Sequence, residues 1–317
     1  MIGIPRALFY YYDTDLILNF FKELGVNVII SNKTTKKTIE LGSKYAQSEM
    51  CLALKNYIGH VYELKEKADY ILIPRIDNYY TFNQTCTNFL AARDIVANIF
   101  DINVLDYNID LNNSNTLKKG LYKIANKLNI ESNRISKAYS IAYKKSKENR
   151  DRIIRENLNK LQSKKKKVLI ISHNYNIYDN LIGVPIINML RKENIEIIYS
   201  DRFDINKSIK ICENKYKDIY WKYSKEMIGA YEICKDKIDG IVLISTFPCG
   251  LDSLANELLI SQLKLPYLNI IIDDINGDAG IETRVESFID ILKNYNWLIV
   301  LIKKYDIITW EWYKNEM

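Results

Sequence analysis

Ile241-Val242-Leu243-Ile244-Ser245-Thr246-Phe247-Pro248-Cys249-Gly250-Leu251-Asp252-Ser253-Leu254-Ala255-Asn256-Glu257 reads as a strand, a turn and the start of a helix. The run Ile241 to Ser245 is short and apolar, as in a strand buried on both faces. Ser253 to Gln262 carries helical spacing. Cys249 therefore stands where a strand ends and a helix begins. In open α/β sheets that edge is where ligands bind. Helix-start N–H groups also favour anions, a thiolate or a cluster sulfide included. Two more cysteines hold comparable positions: Cys51 after Ser48-Glu49-Met50, and Cys86 in the polar loop Asn83-Gln84-Thr85. The expectation is that Cys51, Cys86 and Cys249 converge on one metal centre.

Outward from that stretch, strands and helices alternate along the chain. Val26–Ser31, Tyr70–Pro74 and Asn103–Tyr107 read as strands of a first unit, with helices over Asp15–Leu24, Thr34–Tyr45, Cys51–Lys65 and Phe89–Phe100. Asn78–Asn88 and Asn108–Ser114 read as polar loops. Thr116 to about Leu161 reads as two charged helices. Val168–Ser172, Ile195–Ser200, Ile241–Ser245 and Tyr267–Asp273 are strands of a second unit. Its helices are Val184–Glu193, Ile219–Cys234 and Gly280–Lys293, and Trp297 onward packs back across the structure. His173–Asp179 is the loop after the first of these strands. The pattern predicts an α/β protein with two facing Rossmann-like, doubly wound parallel-sheet domains and a helical connector. The expected boundaries are 1–110, 111–165 and 166–317.

The 317 residues suffice for two domains, and 48% hydrophobic with 26% charged residues is ordinary for a globular chain. The net charge of +6 is spread out, apart from Lys164-Lys165-Lys166-Lys167, which reads as a solvated loop. No basic face with interleaved aromatics appears, so no nucleic-acid partner is expected. No apolar run is long enough to cross a bilayer, and with the chain opening on Ile2-Gly3-Ile4-Pro5 no leader peptide is expected. The expected location is cytoplasmic, without a membrane partner. Five cysteines there are free, metal-binding or catalytic rather than disulfide-bonded.

Only two histidines are present, which argues against a His-rich zinc or iron site. Three thiolates without a nearby His fit an iron–sulfur cubane better, because sulfide supplies the remaining ligands. There is no C-x-x-C, so spacing alone is a weak signal and favours packing as small apolar residues. Cys212 and Cys234, among apolar neighbours on helices, read as packing. Glu49, His60 and Glu282 are the weak candidates for proton carriers; packing or capping is the default for His60, and a loop hydrogen bond for His173. Arg75 reads as a charge-compensating group or an ion pair, and Arg284 as a carboxylate partner. Asp273-Asp274 reads as a structural pair of acids.

Several blocks, in order, resemble the 2-hydroxyacyl-CoA dehydratase and benzoyl-CoA reductase superfamily, in its acyl-CoA dehydratase activase-related branch. They are Ile2-Gly3-Ile4-Pro5-Arg6-Ala7-Leu8, Ser48-Glu49-Met50-Cys51 with Gly59-His60, Ile73-Pro74-Arg75, and Cys86-Thr87-Asn88-Phe89. They continue with His173-Asn174-Tyr175-Asn176-Ile177-Tyr178-Asp179, Phe247-Pro248-Cys249-Gly250 through Asn256-Glu257, and Gly280-Ile281-Glu282-Thr283-Arg284. The resemblance implies a [4Fe–4S] cluster, single or part of a double cubane, held between two domains by Cys51, Cys86 and Cys249. It also implies a separate ATP-hydrolysing activase and a homodimer, or a heterodimer with a homologous subunit. The chain departs from the family at Ala53 and Thr87, where proline is frequent. It has no phosphate loop of the G-x-x-x-x-G-K-[ST] type, so no ATP site is expected on it.

Two functions follow as expectations. One is an iron–sulfur redox protein in low-potential, activase-driven electron transfer, or in reduction or dehydration of a small substrate such as an acyl-CoA. The alternative is a cluster-free two-domain small-ligand-binding or scaffold protein. A zinc-bound structural protein is a distant third.

Overall fold

The computed structural model describes residues 1–80, 83–217, 219–273 and 280–294. The first part of the chain runs β1 (Ile2–Ile4), α1 (Tyr10–Leu24), β2 (Val28–Ile30), α2 (Lys36–Tyr45), α3 (Leu52–Leu64), β3 (Tyr70–Leu72), β4 (Arg75–Tyr80), β5 (Asn83–Gln84), α4 (Thr87–Ile99), β6 (Val104–Leu105) and β7 (Asn108–Asp110). Helices α5 (Leu117–Lys127) and α6 (Ser132–Lys160) follow. Then come β8 (Lys167–Ile171), α7 (Asn174–Ile177), α8 (Gly183–Lys192), β9 (Glu196–Tyr199), α9 (Ile205–Lys215), α10 (Lys222–Cys234), β10 (Gly240–Thr246), α11 (Gly250–Ile260) and β11 (Tyr267–Ile272). A helix over 280–294 is the last described element. Asp274 and the stretch from Trp297 lie outside the described residues.

Two four-stranded parallel sheets result, ordered β2-β1-β3-β6 and β11-β10-β8-β9, as the alternation predicts. β10 is buried along its whole length. Its side chains alternate between two cores. Ile241 and Leu243 join the core shared with the first sheet, while Val242 and Ile244 join the core under α8 and the helix over 280–294. A strand covered on both faces needs an apolar residue at every position, hence the unbroken run. Each such side chain contributes roughly 1.5–3 kcal/mol of burial.

The two charged helices form as read. α6 lies along α1 and buries Ile135, Ala138 and Ala142 in the larger core. Two glycines let α2 and α3 touch backbone to backbone. A Cβ on Gly42 would stand 1.8 Å from the Lys55 carbonyl oxygen, and one on Gly59 would stand 2.0 Å from that of Thr38.

Three expectations change. Asn78–Asn88 and Asn108–Ser114 are not loops throughout: β4, β5 and β7 form a third, three-stranded sheet, with β4–β7 parallel and β4–β5 antiparallel. Side chains hold these polar strands. Asn78 Nδ2 donates to Asp110 Oδ1 at 2.8 Å and the Leu111 amide donates to Asn78 Oδ1 at 2.8 Å. His173–Asp179 contains the short helix α7, and α9 is a helix that the apolar pattern did not mark.

Candidate functional site

Cys51, Cys86 and Cys249 are the N-cap residues of α3, α4 and α11. All three line one cavity of about 90 Å³, together with Leu8, Asn88, His173, Tyr175 and Trp221. Leu8 follows β1, His173 follows β8 and Cys249 follows β10, so the carboxyl ends of both parallel sheets open on this cavity. A backbone bond fastens the two sides, the Leu52 amide donating to the Phe247 carbonyl at 2.9 Å. A fourth helix, α10, also begins here, with Trp221 as its N-cap.

The cysteines are free and partly buried. Burial pushes all three thiols above their usual range, and the neighbouring Asp252 adds to the rise. First-turn amides oppose it: Leu54 at Cys51, Asn88 and Phe89 at Cys86, Asp252 at Cys249. None of these reaches capping hydrogen-bond geometry. Asn88 Nδ2 also donates to Cys51 Sγ at 3.6 Å. Three partly buried sulfurs at helix N-termini thus form a site where negative charge is favoured by amides and dipoles but opposed by desolvation.

His173 is held from both ends. Its Nε2 lies 3.0 Å from Asp252 Oδ1 and its Nδ1 lies 3.2 Å from the Tyr12 hydroxyl. Both ring nitrogens are engaged, so the imidazole adds no free donor to the thiols. Its ring stacks on Tyr175 at 4.8 Å and meets Tyr223 edge-on at 5.2 Å. Tyr12, Phe89, Tyr175 and Tyr223 surround it as an aromatic shell. The default reading of His173 as a loop partner gives way to a bridge between α1 and α11.

The weaker candidates do not join the thiols. Glu49 and Glu282 are exposed and absent from the cavity lining. His60 is fully buried, 3.0 Å from Thr34 Oγ1, in a network that Asn56 and Asp179 complete. Arg75 pairs with Asp94, and Arg284 donates to the Asn269 carbonyl. Cys212 and Cys234 are buried in apolar cores with thiols pushed up to about 12. Asp252, Tyr12, Tyr175 and Tyr223 escaped the sequence reading. Only Asp252 left a local signal, three residues after Cys249 in the first turn of the helix.

Residues 1–203 match the family described as the CoA enzyme activase uncharacterised domain. The chain belongs to this family. Cys51, Cys86 and His173 fall within the matched stretch, and Cys249 and Asp252 lie beyond it. No curated protein matches the chain. Among solved structures, it is similar to a crystal structure of ZnuA at 9% identity, covering 92% of this chain and 98% of that one with a TM-score of 0.28. It is similar to a mutant variant of Zn(II)-bound AdcAII from Streptococcus pneumoniae at 11% identity, covering 92% and 97% with a TM-score of 0.27. Zn(II)-bound AdcA from Streptococcus pneumoniae gives 10% identity, 93% and 56% coverage and a TM-score of 0.26. Likeness at this level carries no functional argument. Among the described residues, no helix is long and apolar enough to cross a membrane, and no group of three His, Cys, Asp or Glu is spaced to hold one metal ion.

Proposed function

We propose that this chain is an iron–sulfur redox protein in which Cys51, Cys86 and Cys249 hold a [4Fe–4S] cluster, alone or as half of a double cubane. The observation that carries this reading is the meeting of three distant thiols, each at a helix N-terminus, in one cavity. The donor set fits. It offers three sulfurs and an imidazole whose nitrogens are both engaged. A cubane takes each thiolate on a different iron, so its ligands need not crowd one ion. Deprotonating these thiols in isolation is unfavourable, and metal coordination is what displaces such protons. When bound, the cluster supplies one-electron chemistry at a potential lowered by burial and net negative charge.

The chain's own residues do the rest. Asn88 donates to Cys51, and the helix starts at Leu52, Thr87 and Gly250 present their amides to the anion. The aromatic shell excludes water on one side. In this reading the protein works in the cytoplasm with a separate ATP-hydrolysing activase, as a homodimer or with a homologous subunit. It relays low-potential electrons, or reduces or dehydrates a small substrate such as an acyl-CoA. Membership of the CoA enzyme activase domain family supports the CoA connection.

The test is anaerobic iron and sulfide analysis with low-temperature EPR, on the wild type and on Cys249→Ala. The expected result is about four iron per chain and a dithionite-reducible signal, lost or altered in the variant. No iron after strictly anaerobic reconstitution would sink the reading.

A further inference from the structure

Behind His173 and Tyr223, on the side away from the thiols, lies a second hollow. A well of about 40 Å³ is lined by both residues and by Asn174 and Ser200. It shares Tyr12, Arg150, Asn174 and Asp201 with a wider chamber of about 210 Å³ between α1, α6 and the β9–α9 turn. Drug-sized ligands occupy pockets of roughly 300–1,000 Å³. This one is too small for a nucleotide or a coenzyme and suits a molecule of few non-hydrogen atoms.

Four residues lining the well carry a buried polar atom without a hydrogen bond: Asn174, Ser200, Tyr223 and Glu226. Glu226 Oε1 has the Lys222 ammonium at 2.7 Å, and the atoms of Asn174 and Ser200 point to an occupant. Asn174 is 7% exposed and Ser200 is 3% exposed, yet Asn174 Oδ1 and Ser200 Oγ have no hydrogen-bond partner. Buried polar groups are rarely left without a partner, so a ligand or water fills the role. The amide of Asn174 is not free to turn, because its Nδ2 donates to the Tyr11 carbonyl at 2.8 Å. Its oxygen therefore asks for a donor.

The chamber carries both signs of charge. Arg150 and Arg202 stand against Asp15 and Asp201. Arg202 is already occupied: its Nε donates to the Tyr178 hydroxyl at 2.9 Å and its guanidinium covers the Tyr199 ring at 4.3 Å. Arg150 makes none of the ion pairs found among the described residues. Asp201 accepts from the Tyr178 hydroxyl, and Asp15 from the side chains of Asn19 and Asn149.

We infer that this hollow is a binding site for a small zwitterion of amino-acid type. The carboxylate lies at Arg150. The ammonium group lies toward Asn174 Oδ1 and Asp201, and Ser200 takes a remaining polar atom. The site needs neither the thiols nor a cluster, so its test stands apart from the iron analysis.

Saturation-transfer NMR and calorimetry on the full-length protein would use glycine, L-serine and L-glutamine. Acetate, methylammonium and glycine betaine serve as half-ligands that lack one pole or the donor. At least one amino acid should bind about tenfold more tightly than every half-ligand, because each charge-assisted bond is worth about one decade or more. Arg150→Gln, on the exposed face of α6, should weaken it about tenfold, and Ser200→Ala should change the preference among the three. No binding by any amino acid up to roughly 10 mM would overturn the site and leave a cavity filled by water alone. Equal binding by acetate, or binding unchanged in Arg150→Gln, would overturn it too.

Discussion

The chain's two histidines both stand where its two halves meet, His60 buried and His173 partly so, and their surroundings differ. His173 has a partner on each nitrogen and stacks on Tyr175 beside the three thiols. Among the described residues His60 bonds Thr34 alone and its Nδ1 has no partner, and burial with the nearby Arg6 lowers its pKa to about 3. Position along α3 explains the gap. Nine residues separate Cys51 from His60, a rise of about 13 Å along a helix. His60 therefore belongs to the knot with Thr34, Asn56 and Asp179, far from the sulfurs at the helix start. One junction gathers groups that favour an anion; the other is a structural fastening built around a neutral imidazole.

The largest effect that would break this contrast concerns iron. Cys51→Ser, Cys86→Ser and Cys249→Ser should each lose most of the iron and the EPR signal after anaerobic reconstitution. Cys212→Ala and Cys234→Ala should keep both, at a stability cost of about 1 kcal/mol. Equal loss from either buried cysteine would show that metal content follows folding rather than ligation. Next in size is the knot. Asp179 accepts from Thr34, Asn56 and the amides of Leu181 and Ile182, so Asp179→Ala strands several buried donors. Denaturant unfolding should show a loss of about 3 kcal/mol, while a refolded variant keeps its iron. A variant that unfolds normally would mean that water replaces the carboxylate at that junction.

What the sequence made legible follows from how each element is held. The parallel strands are covered on both faces, so they read as apolar runs, and β10 delivered Cys249 to a sheet edge without further help. The third sheet was illegible because Arg75, Asp77, Asn78, Asn108 and Asp110 carry no apolar pattern and their strands are tied by side chains. Helix α9 buries only Ser208, Ile209 and Cys212, a stripe too narrow to mark. Its cap was readable, since Asp204 accepts from the Lys207 amide at 2.7 Å. The chain Tyr12–His173–Asp252 joins three distant stretches, and no local spacing encodes it. The cysteines alone stood at legible places, because a helix start after a strand or polar loop is a local feature.

Acid should test the His60 junction next. The folded pKa of His60 is about 3 against an ordinary 6.5, so between those values the unfolded chain binds a proton that the folded chain refuses. Stability is then fully present above about pH 6.5 and falls as pH drops toward 3, by up to about 1.4 kcal/mol per pH unit. Asp179 works the other way. Burial raises its pKa, so its ionisation as pH rises takes stability away. Unfolding midpoints from pH 4 to 7 should slope upward in the wild type, and His60→Gln should flatten them. An unchanged slope would place the acid sensitivity in other groups.

The smallest effect tests the candidates that the thiol cavity left out. Glu49 precedes Cys51 by two residues, and Glu282 opens the helix over 280–294, yet both side chains are exposed and neither lines the cavity. An exposed carboxylate on a helix start contributes about 0.3–1 kcal/mol through the dipole at low salt, and less once salt screens it. Glu49→Gln and Glu282→Gln should therefore stay within about 0.5 kcal/mol of wild type, with iron content and EPR line shape unchanged. Glu49 is the sharper of the two. Its closeness in sequence to Cys51 makes it the natural candidate for a proton carrier, while its exposure puts its charge in water. If Glu49→Gln shifted the cluster's signal, the Ser48–Met50 turn would have to fold inward when the site is loaded. The contrast between the two junctions would then hold only for the metal-free protein.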